Sequence, residues 1–249
     1  MCLQNKRVYV MMITPLSIKK ICKVMIAGGQ MSKQINEEQR IQNTIRFINA
    51  TQELIDEISV ENVSIRKIAA RAGFHNSTLY LYFKDVDYLI LLASMRYFEE
   101  YSRSLAELST KNLSVTDRFF AVWTSFCHAA FAHPNMFYYF FFGKYSNNIT
   151  PIMKEYYDLF PEKKYTFSSS LENMFYGNNI YDRNLQLLNS LTGIEDVRIT
   201  ENNVNLVNKI STSYFKDMLD RQRLNPVLSP KEATEDMLAA LRYMVGYKN

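Results

Sequence analysis

Glycine and proline are scarce, 7 and 6 among 249 residues. So few turn residues cannot serve many short strands, and with 47% apolar residues the composition predicts an all-α chain. Cysteine is rarer still. Cys2 and Cys22 fall in the first 30 residues, which leaves Cys127 alone in the remainder. A single thiol makes no disulfide framework and fits a reducing cytosol, and in its apolar aromatic run Cys127 reads as a small buried hydrophobe. No stretch approaches the ~20 uninterrupted apolar residues of a membrane span. The run Val8–Ile13 after Lys6 and Arg7 is shorter than the ~7–15-residue core of a secretion signal, and Pro15, Lys19 and Lys20 soon interrupt it. A cytoplasmic protein is expected.

Enzyme signatures are missing too. There is no phosphate-binding glycine loop, no Gly-x-Ser-x-Gly, no paired cysteines and no His-Glu-x-x-His, so no catalytic residue and no cofactor is assigned. His128 and His133 stand across a proline break with no cysteine or carboxylate at ligand spacing, which speaks against a metal. Acidic charge is absent from residues 1–30, where Lys6, Arg7, Lys19, Lys20 and Lys23 supply more than the whole net charge of +4. The rest of the chain is near neutral, so only local charge carries information about partners.

Gly28-Gly29-Gln30 before Met31 is what a translated ribosome-binding site would encode, so residues 1–30 are either untranslated leader, with the start at Met31, or a disordered arm. The expected organisation is a leader or arm over 1–36, a first domain over 37–84, a connecting helix over 85–108 and a second domain over 109–249.

Ile41, Ile45, Ile48 and Ile55 mark one face of a helix from about Glu37 to Ile58. Ser64 then offers an N-cap to a short helix, Ile65–Ala72, with Ile68, Ala69 and Ala72 facing inward. Gly73 supplies a left-handed cap, and a further short helix is expected over about Asn76–Phe83. Asp85 caps the long helix that follows, to about Leu108. Helices are also predicted at about 115–132, 134–143, 151–160, 165–176, 182–191 and 201–223, and a last one after the capping box Ser229-Pro230-Lys231-Glu232.

Helix, glycine turn and helix packed on a longer helix have the layout of a helix-turn-helix. Between Asn62 and Lys84 lie Arg66, Lys67, Arg71 and Lys84 and no acid, a favourable field for phosphates. The second short helix opens with His75, Asn76, Ser77 and Thr78, short or planar hydrogen-bonding groups. Asn pairs with adenine, Ser and Thr reach several base edges, and Tyr80 and Tyr82 would flank the groove. Ser64 and Lys84 begin neighbouring helices and suit phosphates.

The stretch 64–84, SIRKIAARAGFHNSTLYLYFK, resembles the signature of the TetR family of regulators, with the likeness running over about residues 40–90. The resemblance implies a three-helix DNA-binding head on a helical ligand-binding and dimerisation domain. It also implies a homodimer on a two-fold double-stranded DNA operator and a small-molecule effector. Carried over by position, Ser64, Asn76, Ser77, Thr78, Tyr80, Tyr82 and Lys84 contact DNA, while Leu79 and Phe83 pack inward. His75 stands where the family commonly has Ser or Thr, Asn76-Ser77 replaces a common Lys-Gly, and Ser59 replaces a frequent Gly. Leu81 sits where a polar group is usual. It either meets a thymine methyl or covers neighbouring apolar surface, and the second is expected. The alternative function is an adaptor that keeps this head but binds a protein in place of DNA.

Phe119 to Tyr145 holds twelve aromatics in 27 residues, more than one helix face needs. Some therefore line a cavity or interface, or all are core; the pocket residues selected are Trp123, Phe126, His128, Phe137 and Phe141. His133 is expected to cap the helix starting at Pro134. The last two helices resemble the family's four-helix dimer interface, with Val204, Val207, Ile210, Tyr214 and Met218 as one apolar stripe.

Overall fold

A computed structural model describes residues 31–246, so the expectation about a start at Met31, which rests on residues 1–30, lies outside it. Among the described residues there are eleven α-helices and no strand. Two compact units divide inside the first helix, between Thr44 and Ile45. The described part of the first unit is the amino-terminal half of α1 (Met31–Ile58), where Gln39 donates to Asn43 at 3.1 Å and the Thr44 hydroxyl to the Arg40 carbonyl at 2.9 Å.

In the second unit the rest of α1 leads through a 3₁₀ turn, Val60–Asn62, to α2 (Ile65–Ala72) and a 3₁₀ segment, Asn76–Leu81. The helix expected over 76–83 is thus a tighter coil. Its six residues open on short polar side chains that compete with the α ladder for backbone partners. The long helix to about Leu108 is likewise segmented into α3 (Val86–Ser94), a 3₁₀ turn over Met95–Phe98 and α4 (Glu99–Thr110).

The body comprises α5 (Val115–Ala132), α6 (Pro134–Phe142), α7 (Thr150–Leu159), α8 (Ser169–Phe175), α9 (Ile180–Asn189), α10 (Val204–Leu224) and α11 (Pro230–Val245). The capping box forms in full: Glu232 N–H donates to Ser229 Oγ at 3.2 Å, and Ser229 N–H to Glu232 Oε2 at 2.8 Å. α11 lies against α5, α10 against α9 and α6, and α3 against α6 and α7. Phe98, Phe126, Phe137, Phe141 and Phe215 form a continuous aromatic core, with ring centroids 4.5–5.7 Å apart between neighbours. No helix among the described residues is long and apolar enough to cross a membrane.

Candidate nucleic-acid interface

The turn of the head is set by Gly73. Its φ of 77° lies in the left-handed region, and the Phe74 N–H closes on the Ala69 carbonyl at 2.8 Å. Arg46 of α1 reinforces this corner, donating from Nη2 to the Ala72 carbonyl at 2.9 Å while its guanidinium lies over the Phe74 ring. Beneath it Phe47 stacks on Phe74 at 4.8 Å and meets Phe83 edge-on at 5.8 Å. Leu79 and Phe83 are buried, as their positions require, so the neighbouring side chains of the 3₁₀ segment turn outward.

Ser64 caps α2, its Oγ accepting from Lys67 N–H at 3.4 Å, and remains exposed. His75 takes the capping place in front of the 3₁₀ segment: Nδ1 accepts from Ser77 N–H at 3.4 Å and lies 2.9 Å from Ser77 Oγ. Imidazole thereby performs the work of a hydroxyl cap and engages Ser77 at the same time. Asn76, Ser77 and Tyr80 are exposed, Thr78 and Tyr82 half-buried, and Lys84 exposed with its ammonium 5.2 Å from the Tyr88 ring. All eight sequence-selected residues belong to the surface that runs from the start of α2 to the start of α3. Leu81 corrects the expectation made for it: at 70% exposure it covers little apolar surface and stands outward beside Tyr80.

The local basic charge is partly neutralised. Arg71 does not face outward as an available cation but turns to α1, bidentate on Glu57 at 2.9 and 2.6 Å and 3.2 Å from Glu53. Hydrogen bonding to Arg71 holds the Glu57 carboxyl below its ordinary pKa. Acids absent from 62–84 in sequence are thus supplied by the helix beneath. Arg66, Lys67 and Lys84 remain exposed, and Lys67 also donates to the Asn62 carbonyl at 2.9 Å.

Behind the head, Asp85 joins it to the body. Oδ1 caps α3 by accepting from Tyr88 N–H at 2.8 Å, and Oδ2 accepts from Lys144 at 2.6 Å and Tyr145 at 2.7 Å. Asp87 with Tyr139, and Tyr88 with Glu155, add two further links. Only the capping of Asp85 was legible in sequence; its partners lie some sixty residues away.

In the body, Trp123 and Phe126 line a cavity with about 20 Å³ of free space, together with Tyr101, Met174, Arg183 and Asn184. Phe137 and Phe141 are buried one ring farther in. His128 is exposed and does not line the cavity, because two residues beyond Phe126 the α-helical turn carries it to the other face. His133 occupies the cap of α6 without a side-chain capping bond and instead packs on Tyr97, centroids 4.9 Å apart. No cluster among the described residues could hold a metal.

Residues 47–93 match the model of the bacterial regulatory proteins of the tetR family. Among solved structures, RolR in complex with resorcinol is similar at 19% identity, over 85% of this chain and 91% of that one, with a TM-score of 0.51. A TetR-like regulator from Rhodococcus sp. RHA1 is 15% identical over 82% of this chain and 97% of that one, with a TM-score of 0.47. No curated protein matches the sequence. With the signature seated on its helix-turn-helix, residues 47–93 form a DNA-binding head of the kind found in bacterial regulatory proteins of the tetR family.

Proposed function

We propose that the protein is a ligand-responsive repressor that binds a palindromic DNA operator as a homodimer in the cytoplasm and has no catalytic activity. The observation that carries this reading is the exposed row of Asn76, Ser77 and Tyr80 on a segment anchored by Leu79 and Phe83. Residues 37–84 form the reading head, 85–108 the connection and 109–249 the ligand-binding and dimerisation domain. Dimerisation is supported by an unpartnered apolar face on α10, Leu206, Ile210 and Tyr214, with Tyr243 exposed on α11. The effector is assigned to the aromatic cavity, and RolR, of similar fold, was solved with resorcinol. The paired exposure of Tyr80 and Leu81 favours the adaptor as a second reading, although the polar residues beside them fit base edges better than an apolar partner.

The test is selection of DNA from a random pool by the purified chain. Enrichment of a two-fold symmetric sequence supports the reading. A folded, dimeric protein that enriches nothing at moderate salt moves it to the adaptor.

A further inference from the structure

Arg183 of α9 is only 4% exposed, yet among the described residues no carboxylate pairs with it. Its Nη1 donates to Met153 Sδ at 3.9 Å, the Tyr101 hydroxyl interacts with the guanidinium, and its Nη2 is buried without a hydrogen-bond partner. The guanidinium lies 5.2 Å from the ring centroids of both Phe141 and Phe175. Aromatic faces return only part of the cost of burying such a charge, and an arginine stays charged in a protein. The surroundings are nonetheless shaped to hold it. Gly177 packs so closely on the arginine stem that a Cβ there would come within 2.7 Å of Cγ.

Arg183 lines the cavity described above, and so does Tyr101, whose hydroxyl donates to Met174 Sδ at 3.8 Å and interacts with the Arg183 guanidinium. Asn184, the other polar group of the lining, is saturated: Oδ1 accepts from Trp123 Nε1 at 3.1 Å, and Nδ2 donates to Asn208 and Ser211 at 2.9 Å each. The cavity thus offers one cation without a carboxylate partner and the hydroxyl beside it, next to Trp123 and Phe126, whose rings meet edge-to-face at 5.7 Å. Its free space of about 20 Å³ holds one water. A larger guest must displace Met174, the most adaptable wall.

We propose that this pocket binds a small aromatic monocarboxylate, with the carboxylate on Arg183 Nη2 and the Tyr101 hydroxyl and the ring against Trp123 and Phe126. One negative charge balances the single cation, whereas a dianion would lack donors. The proposal rests on the reading of the body as an effector domain and specifies that effector's chemistry.

Thermal denaturation of the full chain with benzoate, and with benzamide as the neutral shape-match, tests it. Benzoate is expected to raise Tm by several degrees in a concentration-dependent way, and benzamide to leave it unchanged. Arg183→Met is expected to fold with unchanged or higher Tm in the absence of ligand, because it removes an unpaired buried charge, and to lose the benzoate response. Tyr101→Phe keeps the ring and is expected to weaken benzoate binding about ten-fold. Equal responses to benzoate and benzamide, no response to benzoate, or an unchanged benzoate shift in Arg183→Met overturns the proposal. A purely structural arginine would instead show a falling Tm in that variant. DNA selection run in parallel separates the two readings: operator binding without a benzoate response removes only this proposal, and a benzoate response without DNA binding removes only the regulator.

Discussion

Arg46 and Ala72 close the helix-turn-helix from outside it: the guanidinium of α1 donates to the last carbonyl of α2 at 2.9 Å, beside the glycine that turns the chain. A Cβ on Gly73 would approach Arg46 Nη2 to 3.1 Å while forcing a side chain into the left-handed region. Gly73→Ala is therefore expected to lower the unfolding free energy by about 1–2 kcal/mol. Urea denaturation checks this, and an unchanged midpoint would show that the corner relaxes freely.

Ser59 carries the opposite lesson. It holds φ 65° and ψ 154°, a region that only glycine adopts comfortably, and its hydroxyl donates to Glu61. Ser59→Gly is expected to stabilise the protein by about 1 kcal/mol, once glycine's greater unfolded-state entropy offsets part of the relieved strain. A lower Tm for the variant would mean that the Glu61 bond outweighs the strain.

Asp85 gives the head and body a common acid-sensitive joint. Partial burial opposes its charge, but hydrogen bonds from Lys144, Tyr145 and the Tyr88 amide prevail, and its pKa falls below the ordinary 3.8. A depressed folded pKa means that the contribution is complete above the unfolded value and disappears as pH falls from 3.8 through the folded one. Asp85→Asn should lower Tm at neutral pH and lose less stability than wild type over that acid range. Parallel pH–Tm curves for the two proteins would contradict the assignment.

The apolar face of α10 should decide oligomeric state. Ile210→Glu places a carboxylate amid Leu206 and Tyr214 and is expected to weaken the dimer about 100-fold. Sedimentation equilibrium reads this directly; an unchanged mass distribution would place the interface elsewhere.

How much of this was legible in sequence depends on how locally each feature is determined. Gly73, the Ser64 cap and the Ser229–Glu232 box are decided within a few residues, and each formed as read. The α10 stripe divides in the structure: Val204 and Val207 are buried, whereas Ile210 and Tyr214 share an outer face with Leu206. Features joining distant segments were hidden. Arg71 looked available until α1 brought Glu53 and Glu57 to it, and nothing near Arg183 in sequence announces a buried cation facing Trp123 across sixty residues.

The central claim is that the 3₁₀ segment reads bases while its flanks hold phosphates. Its most direct test is the DNA selection repeated with Asn76→Ala and Lys84→Ala. The account predicts that Asn76→Ala shifts the preferred sequence at one position of each half-site, at a cost of about 1–3 kcal/mol on the original operator, while Lys84→Ala keeps the sequence and lowers the salt slope by about 1. An unaltered consensus for Asn76→Ala, with equal losses on every operator variant, would contradict it.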